Sequence, residues 1–331
     1  MSDIHFPDES ELPPEANALA DGYTGLINLD YPEDFRAGFA CVVGRPNVGK
    51  STLMNAMVGS KIAITSNTPE TTRRVIRGVV HHEDWQLVLV DTPGLHKPRT
   101  LLGKRLNDMV RETLTAVDIV VFCIPADQDI GPGDRYIASE LAELKTPVIC
   151  AVTKIDLVPR ERVLDQLAAA HELGDFAEFI PVSGEKGTQV EDLGTLLAGY
   201  LPESPPLYPD GELTDEPENV MIAEIIREAA LAGMREELPH SVAVQVEEII
   251  ERPARDDGTP GLLDVHVNVF VERDSQKAII IGKGGGNLRK IGTKARRGIE
   301  AMLGRHIYLD LHVRTAKEWQ RDPKMLNRLG F

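Results

Sequence analysis

Between residues 38 and 201 the apolar positions change period repeatedly. Short β-branched runs stand at Phe39 to Val43, Val75 to His81, Gln86 to Asp91, Ile119 to Ile124, Val148 to Thr153 and Phe179 to Val182. Stretches with helical recurrence begin near Gly49, Leu101, Gly133, Arg160 and Val190. Strand and helix in alternation predict an α/β fold, a mostly parallel sheet with helices on both faces. In such sheets ligands sit beyond the carboxyl ends of the strands.

Pro202 to Gly211 carries too many prolines for a helix or a central strand and predicts a semi-rigid linker over 202–218. Beyond it the pattern gives a helix (Val220 to Glu237), strands (Val242 to Ile250 and Leu263 to Val271), a glycine loop, a helix (Asn287 to Leu303) and a strand (Ile307 to Val313). That order predicts a small α+β unit over 219–331. In its long helix Leu288, Ile291, Ala295, Ile299 and Met302 form one stripe at helical spacing, the expected core face.

Charge divides the chain further. The net charge is −16, yet residues 218–331 carry 18 Lys and Arg against 17 Asp and Glu, about +1, so the first 217 residues hold about −17. Only the second part can meet a polyanion without strong repulsion. Nine acids and no Lys or Arg precede Arg36, with Pro7, Pro13, Pro14 and Pro32 among them. Residues 1–36 therefore read as a disordered acidic extension, and 37–201 as the first folded domain. Cys41, Cys123 and Cys150 each lie in an apolar run without a CxxC or Cys/His cluster, which predicts small core residues in a reducing cytoplasm. The first residues are acidic rather than basic and apolar, and no apolar run approaches eighteen residues, so neither secretion nor membrane spanning is expected.

Gly44-Arg45-Pro46-Asn47-Val48-Gly49-Lys50-Ser51 completes a GxxxxGKS phosphate loop between the first strand and the first helix. Backbone N–H groups of such a loop cradle phosphate oxygens, Lys50 reaches the β and γ phosphates, Ser51 ligates Mg²⁺, and the helix continuing through Thr52 points its positive end at them. Asp91-Thr92-Pro93-Gly94 ends a strand with a DxxG pattern, in which Asp91 holds the metal through water and the Gly94 N–H senses the γ phosphate. Pro69 to Arg74 offers a threonine hydroxyl for the metal shell, Thr72 in preference to Thr71. Lys50, Thr72 and Gly94 are thus the candidate catalytic groups, and ordering of the two segments around GTP predicts a switch.

Thr153-Lys154-Ile155-Asp156 follows the fifth strand, where the Asp156 carboxylate accepts from the N1 and N2 hydrogens that guanine has and adenine lacks. Ser183-Gly184-Glu185 follows the sixth and can aim N–H groups at guanine O6. In this order the motifs predict GTP and GDP as ligands with Mg²⁺. They resemble the translation-factor-related class of GTPases, whose guanine motif usually reads NKxD. Thr153 stands here in place of that Asn, and its shorter hydroxyl puts nucleotide affinity in question more than base choice. Leu95 follows Gly94 where many related GTPases place a water-orienting Gln, so slow intrinsic hydrolysis is expected. His96 reads as an exposed loop histidine rather than a replacement base.

Ala278 to Gly285 runs from apolar residues into the GxxG loop Gly282-Lys283-Gly284-Gly285. Glycines there admit a nucleic-acid backbone, as in KH domains that clamp about four nucleotides of single strand. The order helix, strand, strand, loop, helix, strand matches the type II KH arrangement. A second nucleotide site is excluded because no Ser or Thr follows Lys283 to take a metal. Ile281, Gly282, Lys283, Gly284, Gly285, Arg289, Lys290, Lys294 and Arg297 are the candidate RNA contacts, with Arg296 on the same basic helix. Aromatics are scarce near the loop, so backbone and apolar contacts are expected to outweigh stacking.

A phosphate-loop GTPase joined to a type II KH domain, with the stretches Glu236-Glu237-Leu238-Pro239-His240-Ser241 and Glu272 to Lys277, closely resembles the bacterial Era family over residues 37–331. The resemblance implies a monomeric GTPase that assists 30S ribosomal subunit assembly and rRNA maturation, its KH domain on the 3′ end of 16S rRNA. It also implies a cytoplasmic protein with some association at the inner membrane face. Two other readings stay open: a GTPase serving a membrane or protein partner with the KH unit as scaffold, and an RNA-binding module with negligible turnover.

Overall fold

The computed structural model describes residues 31–64, 75–94, 100–232, 241–253 and 261–331. Thr71, Thr72, Leu95, His96 and residues 1–30 of the acidic extension lie outside these residues, so the readings placed on them are not addressed by the fold.

Strands β1 (Arg36–Val43), β2 (Ile76–His81), β3 (Trp85–Asp91), β4 (Ile119–Pro125), β5 (Val148–Thr153) and β6 (Glu178–Pro181) form one sheet in the order β2-β3-β1-β4-β5-β6. All neighbours are parallel except the β2/β3 hairpin. Parallel neighbours need crossovers, here supplied by α1 (Lys50–Val58), α2 (Leu101–Thr115), α3 (Pro132–Leu141) and α4 (Arg160–His171), while α5 (Val190–Ala198) follows the last strand and packs back on the sheet. Successive side chains of a strand face opposite ways. Ala40 and Val42 accordingly pack on Leu53 and Met54 of α1 and Leu193 and Leu197 of α5, while Cys41 and Val43 pack on Val110 and Leu114 of α2 and Ile137 of α3. The strand order reverses between β1 and β4, and the crevice at their carboxyl ends is the expected ligand position. All three cysteines are free and buried, and burial pushes the Cys41 and Cys123 thiols up to about 12.

Two limits drawn from sequence need correction. Strand β1 begins at Arg36, and Phe35 ahead of it is buried with its carbonyl accepting from Ser204 N–H at 3.0 Å, so a boundary at 37 cuts through a strand. The proline-rich stretch is strapped to the sheet instead of standing off as a spacer. The buried Gln86 side chain accepts from the N–H groups of Leu207 (2.7 Å) and Tyr208 (2.9 Å) and donates to the Tyr208 carbonyl. Val79 N–H then donates to Leu213 O, Thr214 Oγ1 donates to Arg77 O, and Arg77 pairs with Asp215 at 3.0 Å. The strap covers the open edge of β2, which would otherwise present unpaired backbone groups to solvent.

The second sheet, β7 (Ala243–Glu251), β8 (Leu263–Val271) and β9 (Ile307–Thr315), pairs β7 with β8 antiparallel and β8 with β9 parallel. Helices α6 (Glu218–Leu231) and α8 (Gly286–Leu303) cover one face, where Ile222, Ile226, Ile291, Ala295 and Ile299 meet the valines of β8. Between β8 and the glycine turn the sequence pattern showed only an apolar run, but the chain forms a further helix, α7 (Asp274–Ile281). Its Ile-Ile-Ile run favours a strand by propensity. Gln276 overrides that preference by accepting from the N–H groups of Glu272 and Arg273, both at 3.0 Å, and donating to Ser241 Oγ at 2.9 Å. The order is therefore helix, strand, strand, helix, turn, helix, strand.

The other face of this sheet meets the first unit. A C-terminal stretch through Trp319 and α9 (Pro323–Leu329) inserts between them, burying Trp319, Leu326 and Leu329 against Phe270 of β8 and Leu102 and Leu106 of α2. Trp319 donates its indole N–H to Ser241 O at 2.9 Å. Arg105 of α2 donates to Asn327 Oδ1 (2.8 Å) and Phe331 O (2.6 Å), and Lys61 pairs with Glu228 of α6 at 2.7 Å. Two separately patterned units thus share an apolar seam bordered by the Lys61–Glu228 ion pair and the Arg105 hydrogen bonds.

Candidate functional site

At the end of β1 the backbone turns through positive φ at Gly44 (153°), Asn47 (63°) and Gly49 (101°), which curls the loop around the α1 N-terminus. Lys50 is buried within the curl, its Nζ donating to the carbonyls of Gly44 (3.2 Å) and Arg45 (3.0 Å). Burial lowers its pKa, and the nearby Asp91 carboxylate acts in the opposite sense. At the end of β3 the fully buried Asp91 accepts from Ser51 Oγ at 2.7 Å, so a hydroxyl and a carboxylate are side by side at the mouth of the loop. Hard oxygen donors of this kind suit Mg²⁺. Thr92 hydroxyl donates to Val42 O and anchors the DxxG turn to β1. A Cβ on Gly94 would stand 2.9 Å from Pro46 N, so the DxxG glycine lies directly against the phosphate loop.

Behind this mouth is a cavity of about 230 Å³, lined by Gly49, Thr52, Thr153, Lys154, Asp156, Gly184 and Glu185, with Leu53 and the exposed Leu157 completing its wall. Two of the details were not legible in sequence. Ser183 Oγ donates to Asp156 Oδ1 at 2.6 Å, so this side chain orients the carboxylate expected to select the base. Gly184 is required by close approach, since a Cβ would meet the backbone of Thr52 and Leu53 at 2.9 to 3.0 Å. The buried Thr153 hydroxyl donates to Val48 O at 2.5 Å. The tie between base loop and phosphate loop therefore persists with Thr in the Asn position, while the one hydroxyl proton is committed to Val48. Arg45, which carried no assigned role, is fixed by Asp134 of α3 at 2.7 Å, its carboxylate fully buried.

The candidate RNA residues separate into two groups. Gly282, Gly284 and Gly285 all have positive φ (71°, 59° and 75°), a conformation that glycine adopts without a Cβ penalty. Space is open in front of Gly284, Gly285 and Gly286, whereas a Cβ on Gly282 would strike Asn287, whose Nδ2 ties the turn to Ile279 O at 3.0 Å. From this turn a cleft of about 420 Å³ runs between α8 and β9, lined by Gly285, Leu288, Arg289, Gly292, Thr293 and Arg296 on one side and Tyr308, Leu309 and Leu311 on the other. Arg289 and Arg296 face this cleft. Lys290, Lys294 and Arg297 are exposed but do not line it, because their spacing puts them on another side of α8. Ile281 and Lys283 border the turn outside the lining. Tyr308, from a strand whose role sequence reasoning left at structural, is the addition.

A family profile described as a 50S ribosome-binding GTPase matches residues 39–154, and one described as a KH domain matches residues 237–320. GTPase Era of Mycolicibacterium paratuberculosis is 60% identical over 301 residues, covering 90% of this chain and 99% of the relative. The chain belongs to the Era family. GTPase Era of Streptomyces coelicolor is likewise 60% identical, over 302 residues covering 89% of this chain and 95% of that one. Two solved Era structures, one with MgGDPNP and nucleotides 1506–1542 of 16S ribosomal RNA, the other the Aquifex aeolicus Y63A variant with GDP·AlF4⁻, each superpose with a TM-score of 0.84 at 36% identity. Each comparison covers 89% of this chain and 99% of the other. A phosphate-loop GTPase fold with a mostly parallel sheet, followed by a KH domain, is thus the architecture of an Era GTPase, and this chain is a GTPase. No helix among the described residues is long and apolar enough to cross a membrane.

Proposed function

We propose that this Era-family GTPase is a switch that binds the 3′ end of 16S rRNA in its KH cleft, assists 30S assembly and rRNA maturation, and changes its hold on RNA with the bound nucleotide. The observation that carries the reading is the presence in one chain of a phosphate loop beside a cavity lined by Asp156 and an open glycine turn leading into a basic cleft. The solved relative that binds MgGDPNP together with 16S rRNA supports the same pairing of ligands.

In this reading Asp156, oriented by Ser183, accepts from the guanine edge, and Lys154 and Gly184 border the base. Backbone N–H groups of Asn47 to Thr52 hold the phosphates, and Lys50 leaves its loop carbonyls to neutralise the β and γ oxygens. Ser51 and Asp91, with Thr72, are the residues that would hold Mg²⁺, which supplies charge neutralisation at the transferring phosphoryl group. Gly94, placed against Pro46, reports the γ phosphate to the DxxG turn and so to α2, which begins seven residues later. Without a Gln after Gly94, the chain's own groups position water weakly and turnover is slow until a partner contributes. Arg289 and Arg296 attract the RNA backbone into the cleft. We assign any contact with anionic lipid at the inner membrane face to the separate Lys290, Lys294 and Arg297 stripe. The direct test is binding of a single-stranded RNA from the 16S 3′ end by wild type and G284D: the acidic variant should lose binding while retaining GTPase activity, and equal binding by both would refute the cleft assignment.

A further inference from the structure

Tyr308 is the single aromatic among the described residues lining the KH cleft, and half of it is exposed. It lies at the second residue of β9, just after the turn that ends α8, whereas Gly285 stands at the start of that helix. From Gly286 to Arg296 the helix rises about 15 Å. The glycine turn and the tyrosine therefore mark opposite ends of a trough sized for the roughly four nucleotides that a KH unit takes.

The ring is also backed. Arg252 holds its guanidinium 5.8 Å from the ring centroid and is braced by Asp264, which accepts from its Nε at 2.9 Å. The cation lies over one face of the ring, and Arg252 itself is not among the residues that line the cleft, whereas Tyr308 is. Aromatic rings set in a basic groove are general platforms for nucleic-acid bases, because every base offers a π face. On the assignment of the cleft as an RNA site, we infer that Tyr308, supported by Arg252, is the stacking platform for the base farthest from the glycine turn. It adds affinity with little sequence preference, and it makes stacking part of a site where the glycine loop alone suggested backbone contacts.

The test uses the full chain and a fluorescently labelled single strand of about six nucleotides from the 16S 3′ end, with an abasic residue introduced at each position in turn. Y308A should weaken binding of the intact strand about 5- to 150-fold, the range for one stacked base. Y308F should bind as wild type does, and R252A should fall between. At one position near an end of the bound stretch, base removal should weaken wild type and leave Y308A unchanged. Y308A binding within twofold of wild type, or losses that multiply at every position, would overturn the inference. A wild type that ignores the strand overturns the RNA assignment and this inference together, whereas undiminished binding by Y308A overturns this inference alone. Unchanged thermal melting of Y308F and Y308A separates the effect from misfolding.

Discussion

Replacing Thr153 by Val tests the division of labour inside the nucleotide site. The two side chains have nearly the same shape, so the change removes the hydroxyl that donates to Val48 O and leaves a methyl in its place. Thr153 is 2% exposed and water does not readily replace the lost donor. Leaving a buried carbonyl short of a partner costs about 1 to 3 kcal/mol. That cost falls on the contact between base loop and phosphate loop, so GTP and GDP affinity should both drop about 5- to 150-fold, and melting of the nucleotide-free protein should fall by a few degrees. The GTP-over-ATP ratio should be unchanged, because base choice rests on Asp156 and its Ser183 partner. Competition of GTP and ATP against a fluorescent guanine nucleotide measures both quantities. If T153V erodes the GTP-over-ATP ratio as far as D156A does, Thr153 contacts the base and the division is wrong.

Other expectations follow from the packing and charge layout. K294E should bind a short single-stranded RNA within about twofold of wild type, whereas R296E should lose roughly tenfold or more and show a salt dependence shallower by about one unit, read by titration at several salt concentrations. W319A removes a side chain with no exposed surface and its hydrogen bond to Ser241, a loss of about 3 to 5 kcal/mol that should appear as an early melting transition of the KH unit in calorimetry. The thiols of Cys41, Cys123 and Cys150 are pushed up by burial, so at pH 8 the native protein should resist alkylation and release all three thiols together on unfolding. For these buried groups the folded state disfavours the thiolate, so their contribution to stability is lost only as the pH rises above the ordinary thiol range.

The first sheet and its helices could be read closely because its four central strands are buried on both faces and each phosphate-binding or base-binding turn has a spacing that chemistry fixes. Lys50, Ser51, Asp91, Thr153 and Asp156 share one end of the sheet because each lies at, or a short turn beyond, the carboxyl end of one of its parallel strands. What stayed hidden depends on partners far away in sequence. Gln86 looks like an ordinary strand residue, yet it fixes the strap through residues more than 120 positions later. Helix α7 was obscured because its β-branched run carries strand propensity while a single glutamine caps it. On α8, a count of basic residues could not separate Arg289 and Arg296 from Lys290, Lys294 and Arg297. The separation needs to know which side β9 packs against. Tyr308 escaped for the same reason, since only the cleft gives that exposed ring a purpose.

The contact of α2 with Trp319, Leu326 and Arg105's partners offers a physical route from the DxxG turn to the KH unit, and a ligand shifts such an equilibrium only by its differential affinity for the two states. The most direct test is the affinity of the full chain for a single strand from the 16S 3′ end, measured in parallel with GDP and with a non-hydrolysable GTP analogue. A difference of at least fivefold between the two, abolished by G284D in both, is the predicted result. Equal affinities would contradict the switch and leave a GTPase and an RNA-binding unit that merely share a chain.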